Sequence, residues 1–187
     1  MGNSEFWQSP LEPLTSKFME GLSEVSIEAQ INLRGNPDDP EFLTGAKKAL
    51  GLGLPLEPNT VSFKKGIKIL WLGPNEWQIV STKPGGPLLE KLEKSLVNQH
   101  VAITDVSANR VVLQIAGPNK YEVLKKSCEM DFHPREFAPG QVVQTLLAKA
   151  PAMIEQVDDN SFHIYVRNSF ARYCAEWLVD AFEEYQN

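Results

Sequence analysis

The same order of elements is written into this chain twice, and that order limits the fold more than any single residue does. Val25, Ile27, Ala29, Ile31 and Leu33 alternate with polar neighbours, the period-two pattern of a half-buried strand. Gly35-Asn36-Pro37 makes a turn, and Pro40 opens a helix to Leu50 with Phe42, Leu43, Ala46 and Ala49 at helical spacing. Gly51 and Gly53 stop it. A short strand at 61–63 leads through the lysine-rich turn around Gly66 to a hairpin with arms 67–72 and 77–82. An amphipathic helix with Leu88, Leu89, Leu92 and Leu96 closes the half.

The later half repeats the order. Strands are expected at 101–106 and 110–116, and Gly117-Pro118 starts a helix bearing Tyr121, Val123, Leu124 and Cys128. A Pro-punctuated loop covers 129–140, and strands follow at 142–148, 152–157 and 162–166. The last helix, about 169–185, carries the stripe Phe170, Tyr173, Cys174, Trp177, Leu178, Ala181, Phe182 and Tyr185. The hairpin anchors Trp77 and Phe162 stand 85 positions apart, so the repeat is one of pattern rather than of identity. The fold class is therefore α+β: pseudo-duplicated strand-helix-strands-helix halves with antiparallel or mixed sheets and helices packed on them. An irregular N-terminal arm is assigned to residues 1–22, and one domain to 23–187, made of interlocked halves at about 23–99 and 100–187. Phe6, Trp7, Leu11, Leu14 and Phe18 make that arm costly to leave in water, so it docks on its own domain or on a partner.

Composition removes several function classes. The chain has 187 residues and a net charge of −6 with no basic patch, which argues against nucleic acid as a partner. No apolar run approaches the ~20 residues that span a bilayer, and the N-terminus lacks a secretory pattern. Two cysteines, Cys128 and Cys174, are too few for a disulfide scaffold and read as free thiols on helical stripes. A cytoplasmic protein without a membrane span is the expectation. Gly51-Leu-Gly53-Leu-Pro55 follows a helix rather than a strand and so reads as a helix stop, not a dinucleotide site. Neither C-x-x-C nor H-x-x-x-H occurs, so the sequence shows no metal site and no catalytic set.

Four residues remain as cofactor-binding candidates: Asp105, Arg110, His133 and Arg135. Asp105 and Arg110 flank Val106-Ser107-Ala108-Asn109, which by itself reads as a hairpin turn with Asp and Ser capping N–H groups. His133 and Arg135 sit in the loop Asp131-Phe132-His133-Pro134-Arg135, which either orders itself through hydrogen bonds or offers them to a ligand. His163 alternates with Phe162 and Ile164 and reads as a solvated or hydrogen-bonded strand residue. Trp71 and Trp77 read as core beneath their hairpin, or as contact surface.

The run Thr104–Lys149 carries a family resemblance. Asp105-Val-Ser107, Arg110-Val-Val-Leu-Gln-Ile, Gly117-Pro118, Cys128, Asp131, His133-Pro134-Arg135, Pro139-Gly140 and Gln144-Thr145-Leu146-Leu147 resemble the gamma subunits of heterotetrameric sarcosine oxidases. Those are folate-binding-type domains related to the glycine-cleavage T-protein, and the resemblance covers about Leu70 to the C-terminus. It implies a cytoplasmic oxidoreductase complex acting on CH–NH donors, which demethylates sarcosine to glycine. Hydrogen peroxide and a one-carbon unit, formaldehyde or methylene-tetrahydrofolate, are the other products. The alpha, beta and delta subunits are the implied partners. They would carry FAD, FMN, NAD, zinc and tetrahydrofolate, while this chain is non-catalytic and inactive alone. The resemblance also makes Asp105 and Arg110 lining groups of a central cavity. Alternatives are a stand-alone folate-binding module, which would bind a tetrahydrofolate directly, and a structural interaction protein of another assembly. The N-terminal arm or the exposed aromatics are expected to form the partner interface.

Overall fold

The computed structural model describes residues 8–186. Two compact units divide the chain: residues 26–108 form one, and the segments up to Val25 and from Asn109 form the other. Every strand pair is antiparallel.

The 26–108 unit holds β2 (Ala29–Arg34), α1 (Pro40–Leu50), β3 (Val61–Lys64), β4 (Ile67–Gly73), β5 (Glu76–Ser81), α2 (Gly85–Ser95) and β6 (Ala102–Asp105). Its sheet runs β3-β4-β5-β2-β6. Local chemistry sets the ends of α1. Asp39 Oδ1 accepts from Glu41 N at 2.8 Å, Pro40 takes the first helical position, and Gly51 ends the helix with φ 75°. Phe42, Ala46 and Leu50 from α1 and Leu88, Leu92 and Leu96 from the α2 region pack on Ile31, Leu33, Ile69, Trp77 and Ile79. Trp77 is fully buried, and its indole N–H donates to Pro55 O at 2.8 Å, so this tryptophan is core; Trp71 is half-buried.

The other unit holds β1 (Leu22–Glu24), β7 (Arg110–Ala116), α3 (Lys120–Ser127), β8 (Val142–Leu147), β9 (Ala150–Asp158), β10 (Ser161–Arg167) and α4 (Asn168–Glu183). Its sheet runs β1-β7-β10-β9-β8. Read from the opposite edge, that is the order of the first sheet. β8, β9, β10 and β7 stand where β3, β4, β5 and β2 stand, and the anchors Trp77 and Phe162 occupy the second positions of β5 and β10. The fifth strand differs in origin. β6 follows α2 along the chain, whereas β1 comes from the N-terminal segment and pairs with β7.

That pairing decides the role of the arm. Leu11 is fully buried, Leu14 nearly so, and Phe18 and Met19 pack against the same core. The described part of the arm, 8–22, thus packs its apolar side chains on its own unit, with Glu12, Pro13, Thr15, Ser16 and Lys17 exposed. Phe6 and Trp7 lie outside the described residues. The hairpin expected across 105–110 is also corrected: β6 pairs with β2, and β7 pairs with β1 and β10, so this turn joins two sheets. The α4 stripe is narrower than its sequence pattern. Ala171, Cys174, Ala175, Leu178, Ala181 and Phe182 are buried, while Phe170, Tyr173 and Trp177 stand at its margin, each a little over one-third exposed. Cys174 sits in this stripe as a free thiol, and burial raises its pKa to about 12; Cys128 follows α3 rather than lying on it.

Two substitutions test this packing. A Cβ added at Gly45 on α1 would lie 2.7 Å from Leu96 Cδ2 and 2.8 Å from Ser95 O. Gly→Ala normally favours a helix by about 1 kcal/mol; here Gly45→Ala is expected to destabilise by about 1–3 kcal/mol through overpacking, read by urea denaturation. Leu11→Ala is expected to cost about 2–5 kcal/mol in the isolated chain. An arm that serves only assembly would leave that stability unchanged.

Candidate functional site

Asp105 ends β6, and its Oδ1 accepts from Ser107 N at 2.9 Å and Ser107 Oγ at 2.6 Å. Ser107 Oγ in turn accepts from Gln30 N at 3.0 Å. Asp105 therefore orders the turn that finishes its sheet, the capping role its spacing suggests. Arg110 opens β7 and lies opposite Arg167 of β10.

His133 and Arg135 stand in the loop between α3 and β8. Asp131 Oδ1 accepts from His133 N at 2.8 Å, His133 Nδ1 accepts from Arg135 N at 3.2 Å, and His133 O accepts from Phe137 N at 3.0 Å. The loop is ordered by hydrogen bonds to Asp131 Oδ1, His133 Nδ1 and His133 O. It is pinned by rings: Phe132 packs edge-on to Phe137 and to Phe162 at centroid distances of 5.2 and 5.7 Å, and Tyr121 meets Phe162 at 5.6 Å. Phe162 lies opposite Ile115, five residues along β7 from Arg110. At about 3.3 Å per residue that is roughly 17 Å. Arg110 and the His133–Arg135 pair thus sit toward opposite ends of one sheet. Neither the groove beside Leu14, Lys17 and α4 nor the one at Gly21, Gly117 and Asn160 is lined by any of the four candidates. No cluster of three or more His, Cys, Asp or Glu among the described residues could hold a metal ion.

The structure gathers a different polar set, which the sequence reading did not assemble. Gln114, His163 and Glu155 form one cross-strand row over β7, β10 and β9, on the sheet face opposite Phe162, Ile164 and Ile154. His163 Nε2 lies 3.2 Å from Gln114 Oε1, and His163 Nδ1 lies 3.9 Å from Glu155 Oε2. Tyr165 donates its hydroxyl to Glu155 Oε2 at 2.6 Å. Glu155, Tyr165 and His163 are all buried. Burial, then the Glu155 charge, then this hydrogen bond hold the Tyr165 phenol pKa well above its ordinary 10.0, so it stays a neutral donor. The available signal was polar residues at alternate positions of otherwise apolar strands. The 26–108 unit carries a smaller counterpart: Gln78 Nε2 donates to Gln30 Oε1 at 3.3 Å, both buried.

Comparison with known proteins decides the family. The model of the sarcosine oxidase, gamma subunit family matches residues 34–184. The sarcosine oxidase subunit gamma of Corynebacterium sp. (strain P-1) is 33% identical over 95% of this chain and 91% of its own length. The chain belongs to the sarcosine oxidase gamma subunit family. Among solved structures, it matches a chain of the heterotetrameric sarcosine oxidase from Corynebacterium sp. U-96 in complex with pyrrole 2-carboxylate. That match has a TM-score of 0.88 and 33% identity, over 97% of both chains. The glycine cleavage system aminomethyltransferase T from Bartonella henselae shares the fold at TM-score 0.63 and 18% identity, over 85% of this chain and 45% of that one. In this gamma-family chain the polar row lies on strands buried across the sheet, where its hydrogen bonds fix strand register.

The row yields a stability test. Tyr165→Phe leaves the buried Glu155 carboxyl short of a donor and is expected to cost about 1–3 kcal/mol at neutral pH. A raised folded-state pKa means the Tyr165 contribution is complete below the unfolded value near 10.0 and is lost as pH rises above it. Urea denaturation on both sides of that pH should show the wild type losing stability and the variant losing less.

Proposed function

We propose that this chain is the non-catalytic gamma subunit of a cytoplasmic heterotetrameric sarcosine oxidase. The match over 97% of both chains to a chain of such an enzyme carries the reading. The assembly oxidises sarcosine, a CH–NH donor, to glycine with hydrogen peroxide, and releases a one-carbon unit as formaldehyde or methylene-tetrahydrofolate. Its alpha, beta and delta subunits carry FAD, FMN, NAD, zinc and tetrahydrofolate. Those groups supply the hydride, electron and one-carbon chemistry that no ordinary side chain performs. The contribution of this chain is architectural: it offers surfaces to which larger subunits dock.

Two features support that division of labour. The sequence has no G-x-G-x-x-G between a strand and a helix. Asp105 Oδ1 and His133 Nδ1 both accept hydrogen bonds within their own turns.

Expression of this chain alone is the direct test. The purified protein is expected to be colourless and to leave sarcosine unconsumed. Flavin absorbance that survives purification, or peroxide formation by the lone chain, would contradict the proposal.

A further inference from the structure

We propose that the free edge of β3 and the lysine corner beside it form a docking surface for an extended, acidic segment of another subunit. The inference rests on the subunit reading above and names a surface that reading leaves unassigned.

Among the described residues, β3 is the outer strand of its sheet and pairs only with β4. Its register fixes the direction of each peptide group. Trp71 N donates to Thr60 O at 3.1 Å, and Lys64 and Ile67 close a two-residue turn through Lys65 and Gly66, whose φ values are 49° and 82°. Inward and outward peptide groups alternate along an antiparallel ladder. Ser62 and Lys64 therefore turn their N–H and C=O groups toward β4, and Val61 and Phe63 turn theirs away from the sheet. Such an edge is a template for one more strand.

The side chains agree with the backbone. Phe63 is 65% exposed, more than any other aromatic residue described. A lone exposed ring needs no explanation; one beside outward-facing N–H and C=O groups completes a surface with both apolar and hydrogen-bonding parts. Charge then selects the occupant. Lys64 and Lys65 are exposed at the hairpin tip, and Thr82 N donates to Gly66 O at 3.1 Å, which brings the exposed Lys83 to the same end of the sheet. No carboxylate occurs between Glu57 and Glu76, in a chain whose net charge is −6. The complement is an extended segment with a free backbone edge, an apolar side chain for Phe63, and Asp or Glu opposite the lysines. A second copy paired through its own β3 would bring the same cationic hairpin against this one.

The test uses full-length chain titrated into the remaining co-expressed subunits of the oxidase. Phe63→Glu and the double variant Lys65→Glu/Lys83→Glu are expected to weaken assembly by at least about tenfold. Both should keep the wild-type unfolding midpoint, because these side chains are exposed. Added salt should weaken the wild type and affect the double variant less. Variants that fold and assemble within about twofold of wild type would overturn the surface while leaving the subunit reading intact. Self-association of the isolated chain, abolished by Phe63→Glu, would overturn the choice of occupant. Failure of the wild-type chain to join the other subunits would instead reject the subunit reading, and this surface with it.

Discussion

The central strands β7, β10 and β9 are buried on both faces, and the rest of their unit follows from that constraint. An antiparallel sheet commonly keeps one face in water. Here Leu113, Ile115, Ile154, Phe162 and Ile164 meet the helices, while Val112, Met153, Glu155 and Tyr165 are also buried. A carboxyl and a phenol shut away from water require partners, because an unsatisfied buried polar group costs several kcal/mol (about 2–7 by transfer scales). The Tyr165–Glu155 hydrogen bond answers that need. It also ties strand register to polar geometry, since a slip by one residue would send Glu155 into the apolar layer.

Much of the fold was legible because it is locally encoded. Asp39, Pro40 and Gly51 bound α1 by capping chemistry, and Lys65–Gly66 and Asp158–Asn160 mark their hairpins. The Trp77–Phe162 correspondence survives as equivalent positions in two sheets of identical strand order. What sequence could not convey was pairing between distant segments. β1 joins β7 across more than ninety residues, as Leu22 opposite Ile115 shows, and no local pattern announces it. The same blindness turned 105–110 into a hairpin and left open whether the arm docks on its own domain or on a partner.

The candidate site was legible only as a set of residue types. His133 stands out because polar residues in loops so often serve ligands, and Asp105 because the family resemblance implies a cavity near it. The same polarity lets Asp105 hold Ser107, and lets Asp131 and His133 fold their own loop around Phe132 and Phe137. Glu155 and Tyr165 escaped notice because a strand pattern shows alternation but not which distant polar partner lies across the ladder.

The account stands most directly on what travels with this protein in its own cell. Affinity capture of the tagged chain, followed by native mass spectrometry, should recover a heterotetramer that contains it together with flavin-bearing chains and turns over sarcosine. Recovery of the chain by itself, or within an assembly unrelated to amine oxidation, would contradict the account.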